Sequence, residues 1–228
     1  MSATRDSYSD LTVESLPFLH DDNDSNPETK RRPALLTISS DKAVWSPAST
    51  ALEYQAKTTD GMLHGNKFTG PPTPRTDAAW TNLTRGVNIK LSSAEMRRLG
   101  YSSLAMRDGS GYLGSLGVYH QLHCVKRLRR WLYKEHYYAN ATAEDLGERF
   151  AHTEHCLETL RQAIMCHGDV GVIPFEWLHD PDRDTYEPTT QMGALHTCVK
   201  WEKLSRWAVE RRVDLFDEDL LVRPQGGR

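Results

Sequence analysis

The sequence predicts a mainly α-helical fold with a few short strands, in which a pair of helices carries two H-x-x-H-C motifs. Ser92 to Glu95 and Thr142 to Asp145 have the capping-box pattern that begins a helix. Apolar residues recur at helical spacing on both sides of this second cap. The glycine-rich segment 109–117 is expected to form only a turn and a short strand.

The chain organisation follows from composition. With 228 residues, a net charge of −3 and 38% hydrophobic residues, the chain fits one domain with unpacked ends. We predict a disordered acidic and basic tail over 1–40, a domain over 41–215 and a flexible C-terminal tail over 216–228. The near balance of 28 basic and 31 acidic residues leaves no electrostatic footprint for nucleic acid, so we expect no such partner.

The sequence shows no transmembrane segment, because no stretch approaches the roughly 20 apolar residues that cross a bilayer. No signal peptide is recognised either. Asn82 and Asn140 begin N-glycosylation sequons, which are compatible with a glycoprotein.

Short elements are expected before residue 100. Residues 35–38 and 51–54 are weakly extended, and 70–74 is a stiff loop because proline neither continues a helix nor donates to a strand ladder. Helices are predicted over 77–83 and 94–99.

Two longer helices are predicted over 119–136 and 143–166, the second ending at Gly168. Their apolar stripes are expected to face the core, and the motif residues lie off these stripes at about 100° per residue. The stripes consist of Leu122, Val125, Leu128 and Leu132, and of Leu146, Phe150, Leu157, Leu160 and Ile164. The basic residues Arg127, Arg129 and Arg130 are expected to form a solvated face.

The last third is predicted to contain an irregular loop over 174–188 and a helix over 196–213. This helix would begin at His196 and carry Trp201, Leu204 and Trp207. Trp131, on the His/Cys side of its helix, either packs in the core or forms the wall of a pocket.

The two motifs predict a shared site. His120 to Arg129 and His152 to Arg161 match at both His, at Cys, at an aliphatic residue, at Leu and at Arg, with a constant offset of 32 residues. Two His three residues apart on a helix project from the same face. We therefore predict that His120, His123, His152 and His155 are catalytic and bind a metal. Imidazole ligands suit copper, zinc or iron.

Three further features bear on this site. His196 is a fifth candidate ligand, or a base beside the metal. Glu158 or Asp169 could complete a site of two His and one carboxylate for non-haem iron. The remaining His are expected to be structural.

The four cysteines allow two interpretations. As thiolates they would be soft ligands that favour zinc. As disulfides they would link the helices, and Cys156 cannot bond Cys166 because ten residues of one helix separate them by roughly 15 Å. The repeat favours the pairing of Cys124 with Cys156 and of Cys166 with Cys198.

Taken together, these residues resemble the UstYa family of fungal oxidases, whose signature is a pair of H-x-x-H-C motifs. The resemblance extends from about Trp45 to Trp207 and includes Gly168-Asp169 and His196-x-Cys198. It implies an oxidoreductase of a fungal secondary-metabolite pathway that makes mycotoxins or cyclic peptides. The implied reactions are oxidative cyclisation, hydroxylation or related C–H functionalisation.

The resemblance also implies copper as the redox metal, a small-molecule or peptide natural product as substrate, and a homologous partner or homo-oligomer. Family members usually have one membrane-spanning helix before a lumenal domain, and this chain departs from them because no such helix is recognised. Two other functions remain open. The His pairs could act as acid and base in a non-redox cyclase or dehydratase, or the chain could be a non-catalytic, zinc-binding partner of a homologous oxidase.

Overall fold

A computed structural model describes residues 44–59, 65–191 and 193–223. Within these ranges the protein has six α-helices and six short strands, so its architecture is mixed rather than mainly helical. The predicted tail over 1–40 and the last five residues of the predicted C-terminal tail lie outside the described residues. No helix in the described ranges is long and apolar enough to cross a membrane.

The helices are α1 (Pro74–Leu83), α2 (Ser93–Leu99), α3 (Gly117–Leu132), α4 (Lys134–Tyr137), α5 (Ala143–His167) and α6 (Trp201–Glu210), and a 3-10 helix spans Pro47–Ala51. The strands are β1 (Tyr54–Thr58), β2 (Ile89–Leu91), β3 (Tyr112–Gly114), β4 (Phe175–Asp180), β5 (Thr185–Thr190) and β6 (Leu195–Val199). They form three antiparallel pairs, β1 with β6, β2 with β3, and β4 with β5.

The predicted helix caps are confirmed. In both capping boxes the cap hydroxyl accepts the backbone N–H three residues on, and the acidic side chain accepts the cap N–H. Gly168 ends α5 with φ of 49°, a left-handed conformation that glycine adopts without strain. The predicted proline loop is wrong at its last residue, because Pro74 begins α1 at a position where no N–H donor is needed.

The predicted loop over 174–188 is instead the hairpin β4–β5. Phe175, Trp177 and His179 alternate along β4, a period typical of strands. The turn contains Asp184 with φ of 50°, a conformation that Asp tolerates better than most residues.

The predicted start of the last helix is also wrong. His196 lies in strand β6, where it pairs with Lys57 of β1, and the helix begins only at Trp201. The run Leu195–Val199 ends in Thr, Cys and Val, and the β-branched Thr and Val favour a strand.

Tyr119 anchors α3 in the core. It is fully buried, its ring centroid lies 5.4 Å from that of Trp201, and its hydroxyl bonds to Ser205 Oγ at 3.2 Å. Ile89, Leu91, Met96 and Ala208 complete this cluster. Because His120 follows Tyr119 directly, the core holds the first motif in place.

The predicted apolar stripes do not form the core. Leu132 is 78% exposed and Ile164 is 71% exposed, whereas Cys124 and Cys156 are fully buried. Helices α3 and α5 therefore pack on each other through the motif side and leave much of the leucine side in solvent. Trp131 belongs to this packing, with its ring centroid 5.7 Å from that of Phe150.

Candidate histidine site on two helices

The four motif histidines lie together between α3 and α5. Ring centroids are 6.4 Å apart for His120 and His123, and 6.1 Å apart for His152 and His155. Across the helices, His120 lies 6.0 Å from His155, and His123 lies 6.0 Å from His152. The four imidazoles thus lie at the corners of a quadrilateral, and we call this cluster the histidine ring.

The histidine ring has an approximate two-fold symmetry. The first His of each motif faces the second His of the other, so the two helices run antiparallel. An offset of 32 residues exchanges His120 with His152 and His123 with His155, and it maps one 6.0 Å contact onto the other. The sequence repeat is therefore also a structural repeat.

One edge of the histidine ring faces solvent. His120 and His155 are exposed, whereas His123 and His152 are half-buried. Burial lowers the pKa of His123 and of His152 below the ordinary value, and the nearby Arg127 guanidinium lowers both pKa values further. Both effects favour neutral imidazole, the form that binds metals.

Arg127 contacts the histidine ring directly. Its Nη2 donates a hydrogen bond to His152 Nδ1 at 3.0 Å. The solvated basic face predicted from the sequence is wrong for this residue and for Arg129, which is 8% exposed and donates from Nη1 to the Gly70 carbonyl at 3.0 Å. Sequence reasoning missed Arg127, although an arginine one helical turn after His123, with no equivalent in the second repeat, was a visible signal.

The histidine ring fits a transition metal in donor type and is wider than a closed coordination sphere. With metal–nitrogen bonds of about 2 Å, neighbouring ring centroids around one tetrahedral ion would be about 5.2 Å apart. The rings would need to approach by about 1 Å from the observed 6.0 to 6.4 Å. Accordingly, no three His, Cys, Asp or Glu side chains in the described part of the chain converge tightly enough to hold an ion.

The cysteines fall into two groups. Cys124 and Cys156 are buried neighbours, and burial together with the Cys156 thiol raises the pKa of Cys124 to about 12. Cys166 is exposed and Cys198 is half-buried on β6. All four are free thiols in the structure, so the disulfide pairing and thiolate ligation both stay predictions.

His196 is placed apart from the other candidates, on strand β6. Its Nδ1 lies 2.6 Å from Asp169 Oδ2, and Asp169 Oδ1 accepts the Gly171 N–H at 2.9 Å. The hydrogen bond from the Gly171 N–H lowers the pKa of Asp169 most, and the hydrogen bond with His196 lowers it further. The other proposed carboxylate, Glu158, pairs with Arg161 at 2.7 Å.

A shallow groove lies along α5, and none of the four ring histidines lines it. It has a volume of about 400 Å³ and is lined mainly by apolar atoms of α5. Gln121, the residue after His120, and Asp169, the partner of His196, both line it. The groove therefore reaches from the first motif toward the Asp169–His196 pair.

Comparisons with known proteins agree with the motif pattern. Residues 18–211 match the family model described as "Mycotoxin biosynthesis protein UstYa". The chain is 31% identical to UstYa family oxidase phomYc of Diaporthe leptostromiformis over 80% of this chain and 75% of that protein. It is 37% identical to oxidase ustYa of Aspergillus flavus over 43% of this chain and 41% of that protein.

A relative with a different name is also similar. Transacylase cctO of Talaromyces islandicus is 27% identical over 76% of this chain and 62% of that protein. No solved structure matches the chain.

Proposed function

This chain belongs to the UstYa family of mycotoxin biosynthesis proteins, and from that premise we propose that its histidine ring holds the redox metal of an oxidase. Relatives named as oxidases indicate an oxidase-type enzyme of a fungal secondary-metabolite pathway. The observation that carries the proposal is the closed ring of His120, His123, His152 and His155.

The ring supports copper best among the candidate metals. Neutral imidazole suits copper, zinc and iron, and of these only copper and iron cycle between oxidation states under biological conditions. A bound metal would supply electron transfer between the substrate and dioxygen. Zinc would instead indicate a structural site, and iron commonly uses a carboxylate, which the histidine ring lacks.

The chain's own residues would bind and orient the substrate. The solvent-facing edge at His120 and His155 leaves an entry, and the groove along α5 offers an apolar surface for a small-molecule or peptide natural product. Gln121, which lines this groove, could donate a hydrogen bond to a molecule bound there. We propose that the reaction is oxidative cyclisation, hydroxylation or related C–H functionalisation. A homologous chain is the proposed partner in this reaction.

Reconstitution tests the redox proposal. The protein should be expressed in a fungal host with and without the other enzymes of its pathway, and the products compared by mass. We expect a product that has lost two hydrogens or gained oxygen. Chelation should stop its formation, and copper, but not zinc, should restore it. Full activity in metal-free protein would contradict the proposal.

A second candidate function is a non-redox reaction in which the His pairs act as acid and base. The observation in its favour is the similarity to a relative named transacylase. Acyl transfer, the reaction in that name, involves no oxidation. Imidazoles titrate near neutral pH, which suits proton transfer. A product of unchanged oxidation state, formed without dioxygen, would select this function over the first.

A further inference from the structure

The contact between Arg127 and His152 determines where one proton sits. A guanidinium only donates hydrogen bonds, so the Nδ1 that faces Arg127 Nη2 at 3.0 Å must accept. The remaining proton of a neutral imidazole then lies on Nε2. In this arrangement neither nitrogen of His152 has a lone pair free for a metal.

This arrangement is the reverse of the usual environment of a histidine ligand. Metal-binding histidines donate their second N–H to a carboxylate, a carbonyl or water, which leaves the other nitrogen free to bind. Asp169 serves His196 in that way, whereas the group beside His152 is a cation. Arg127 forms no ion pair in the described ranges, and its Nε is buried without a partner. Its uncompensated charge therefore also disfavours a cation beside it.

The two halves of the histidine ring differ at this point. The offset of 32 residues maps Arg127 onto Thr159 and His152 onto His120. Thr159 Oγ1 donates to the His155 carbonyl of its own helix at 2.9 Å, so it gives His120 no equivalent donor. Of the four ring imidazoles, only His152 accepts a hydrogen bond from a cationic side chain.

We propose that Arg127 is a positioning residue that keeps His152 out of the resting ligand set, so that the metal is held by His120, His123 and His155. This inference rests on the proposed function. Three protein ligands leave one coordination position open, which is the arrangement of catalytic rather than structural sites.

Copper affinity tests the inference. Cu(II) binding should be measured by competition titration on the full chain carrying Arg127→Met, a change that keeps most of the side-chain stem and removes the donor. We expect roughly 10–100-fold tighter binding, because His152 becomes free to ligate. The gain should vanish when His152→Ala is added. Arg130→Gln is the matched control on the same helix, since Arg130 is exposed and lies 5.2 Å over the Tyr137 ring.

The histidine variants give the second test. His152→Ala should retain Cu(II), whereas His120→Ala, His123→Ala and His155→Ala should each lose it. An equal loss of copper in His152→Ala, or unchanged or weaker binding in Arg127→Met, would overturn the inference and leave the proposed function standing. If the wild type binds no Cu(II), the proposed function fails. The ligand set of three histidines then fails with it, and the tautomer of His152, measured as described next, tests the Arg127 contact separately.

A third measurement needs no metal. Long-range nitrogen–hydrogen NMR of the metal-free wild type reports the tautomer of each histidine. We expect the Nε2–H form for His152, whose signals are assigned by their loss in His152→Gln. An Nδ1–H form for His152 would overturn the inference regardless of the titrations.

Discussion

The four imidazoles of the histidine ring contribute little to core packing. A substitution at one of them is therefore expected to affect activity more than stability. His120 and His155 are exposed, and His123 and His152 are half-buried. Substitutions here remove a functional group from a helix without opening a cavity in the core. The ring is therefore a suitable place to test activity by point mutation.

We predict that alanine at any one of His120, His123 or His155 abolishes product formation. The melting temperature should fall by no more than about 4 °C, because little apolar surface is lost. His136→Ala is the control, since His136 is exposed and outside the ring. Product mass in a fungal host and thermal melting check the two halves of the prediction. Full turnover in both His120→Ala and His155→Ala would contradict the assignment of the site.

Burial predicts which thiols react. The thiolate is the nucleophile in alkylation, and the pKa of Cys124 is raised to about 12, so its thiol stays protonated near neutral pH. We expect iodoacetamide to modify Cys166 more than about a hundredfold faster than Cys124 in the native protein. Peptide mass spectrometry measures both rates.

The same experiment tests the disulfide pairing. If Cys124 and Cys156 are thiols, unfolding alone should make them reactive. If they are bonded, they should stay unmodified in denaturant until a reductant is added. Rapid native labelling of Cys166 would contradict a bond between Cys166 and Cys198.

At the level of elements, helices α3 and α5 pack through the motif side and leave apolar side chains in solvent. We predict that Leu132→Lys and Ile164→Gln each change the free energy of unfolding by less than about 0.5 kcal/mol, as surface substitutions do. Leu204→Ala, at a site 6% exposed, should cost about 2–5 kcal/mol. Denaturant unfolding measures all three. A loss above about 2 kcal/mol for Leu132→Lys would mean that the leucine side is covered in solution.

The elements show why the sequence predicted some features and not others. Capping boxes at Ser92 and Thr142 and the cap at Gly168 were predictable because each depends on residues within one turn. The burial of the helix faces was not, since periodicity indicates which residues share a face and not what packs against it. Strand β6 was missed because its partner β1 lies more than a hundred residues earlier in the chain.

The candidate site shows the same limit. The duplicated motif predicted that four imidazoles would meet, and they do. It did not predict Arg127 beside His152, because that contact joins residues on two helices and depends on their relative rotation. The role of His196 as a further ligand or base stays a prediction, and only its predicted place at a helix start is wrong, because it lies on strand β6.

At the level of the whole described domain, one close approach ties the site to the core. A Cβ on Gly86 would lie 2.9 Å from Tyr119 Cζ and 3.0 Å from Ala208 Cβ, both on buried residues. We predict that Gly86→Ala lowers the free energy of unfolding by about 1–3 kcal/mol through overpacking. Because Tyr119 precedes His120, the same change should also lower copper affinity.

Gly147→Ala is the opposite control for this prediction. Gly147 lies inside α5, and a Cβ there would have nothing within 4 Å. Alanine should raise stability by about 0.5–1 kcal/mol, since glycine loses more freedom when a helix forms. Equal effects of the two substitutions in thermal unfolding would show that the core contact at Tyr119 is not tight.

The two-fold relation between the motifs has a consequence for ancestry. In an isologous pair each copy presents the same face to the other, so two identical helices bearing one motif would build the same ring of four imidazoles. A shorter ancestral chain could thus have made this site by self-association, before duplication joined both copies in one polypeptide. Once they are joined, the two copies no longer need to be identical. They have diverged at the equivalent positions Arg127 and Thr159.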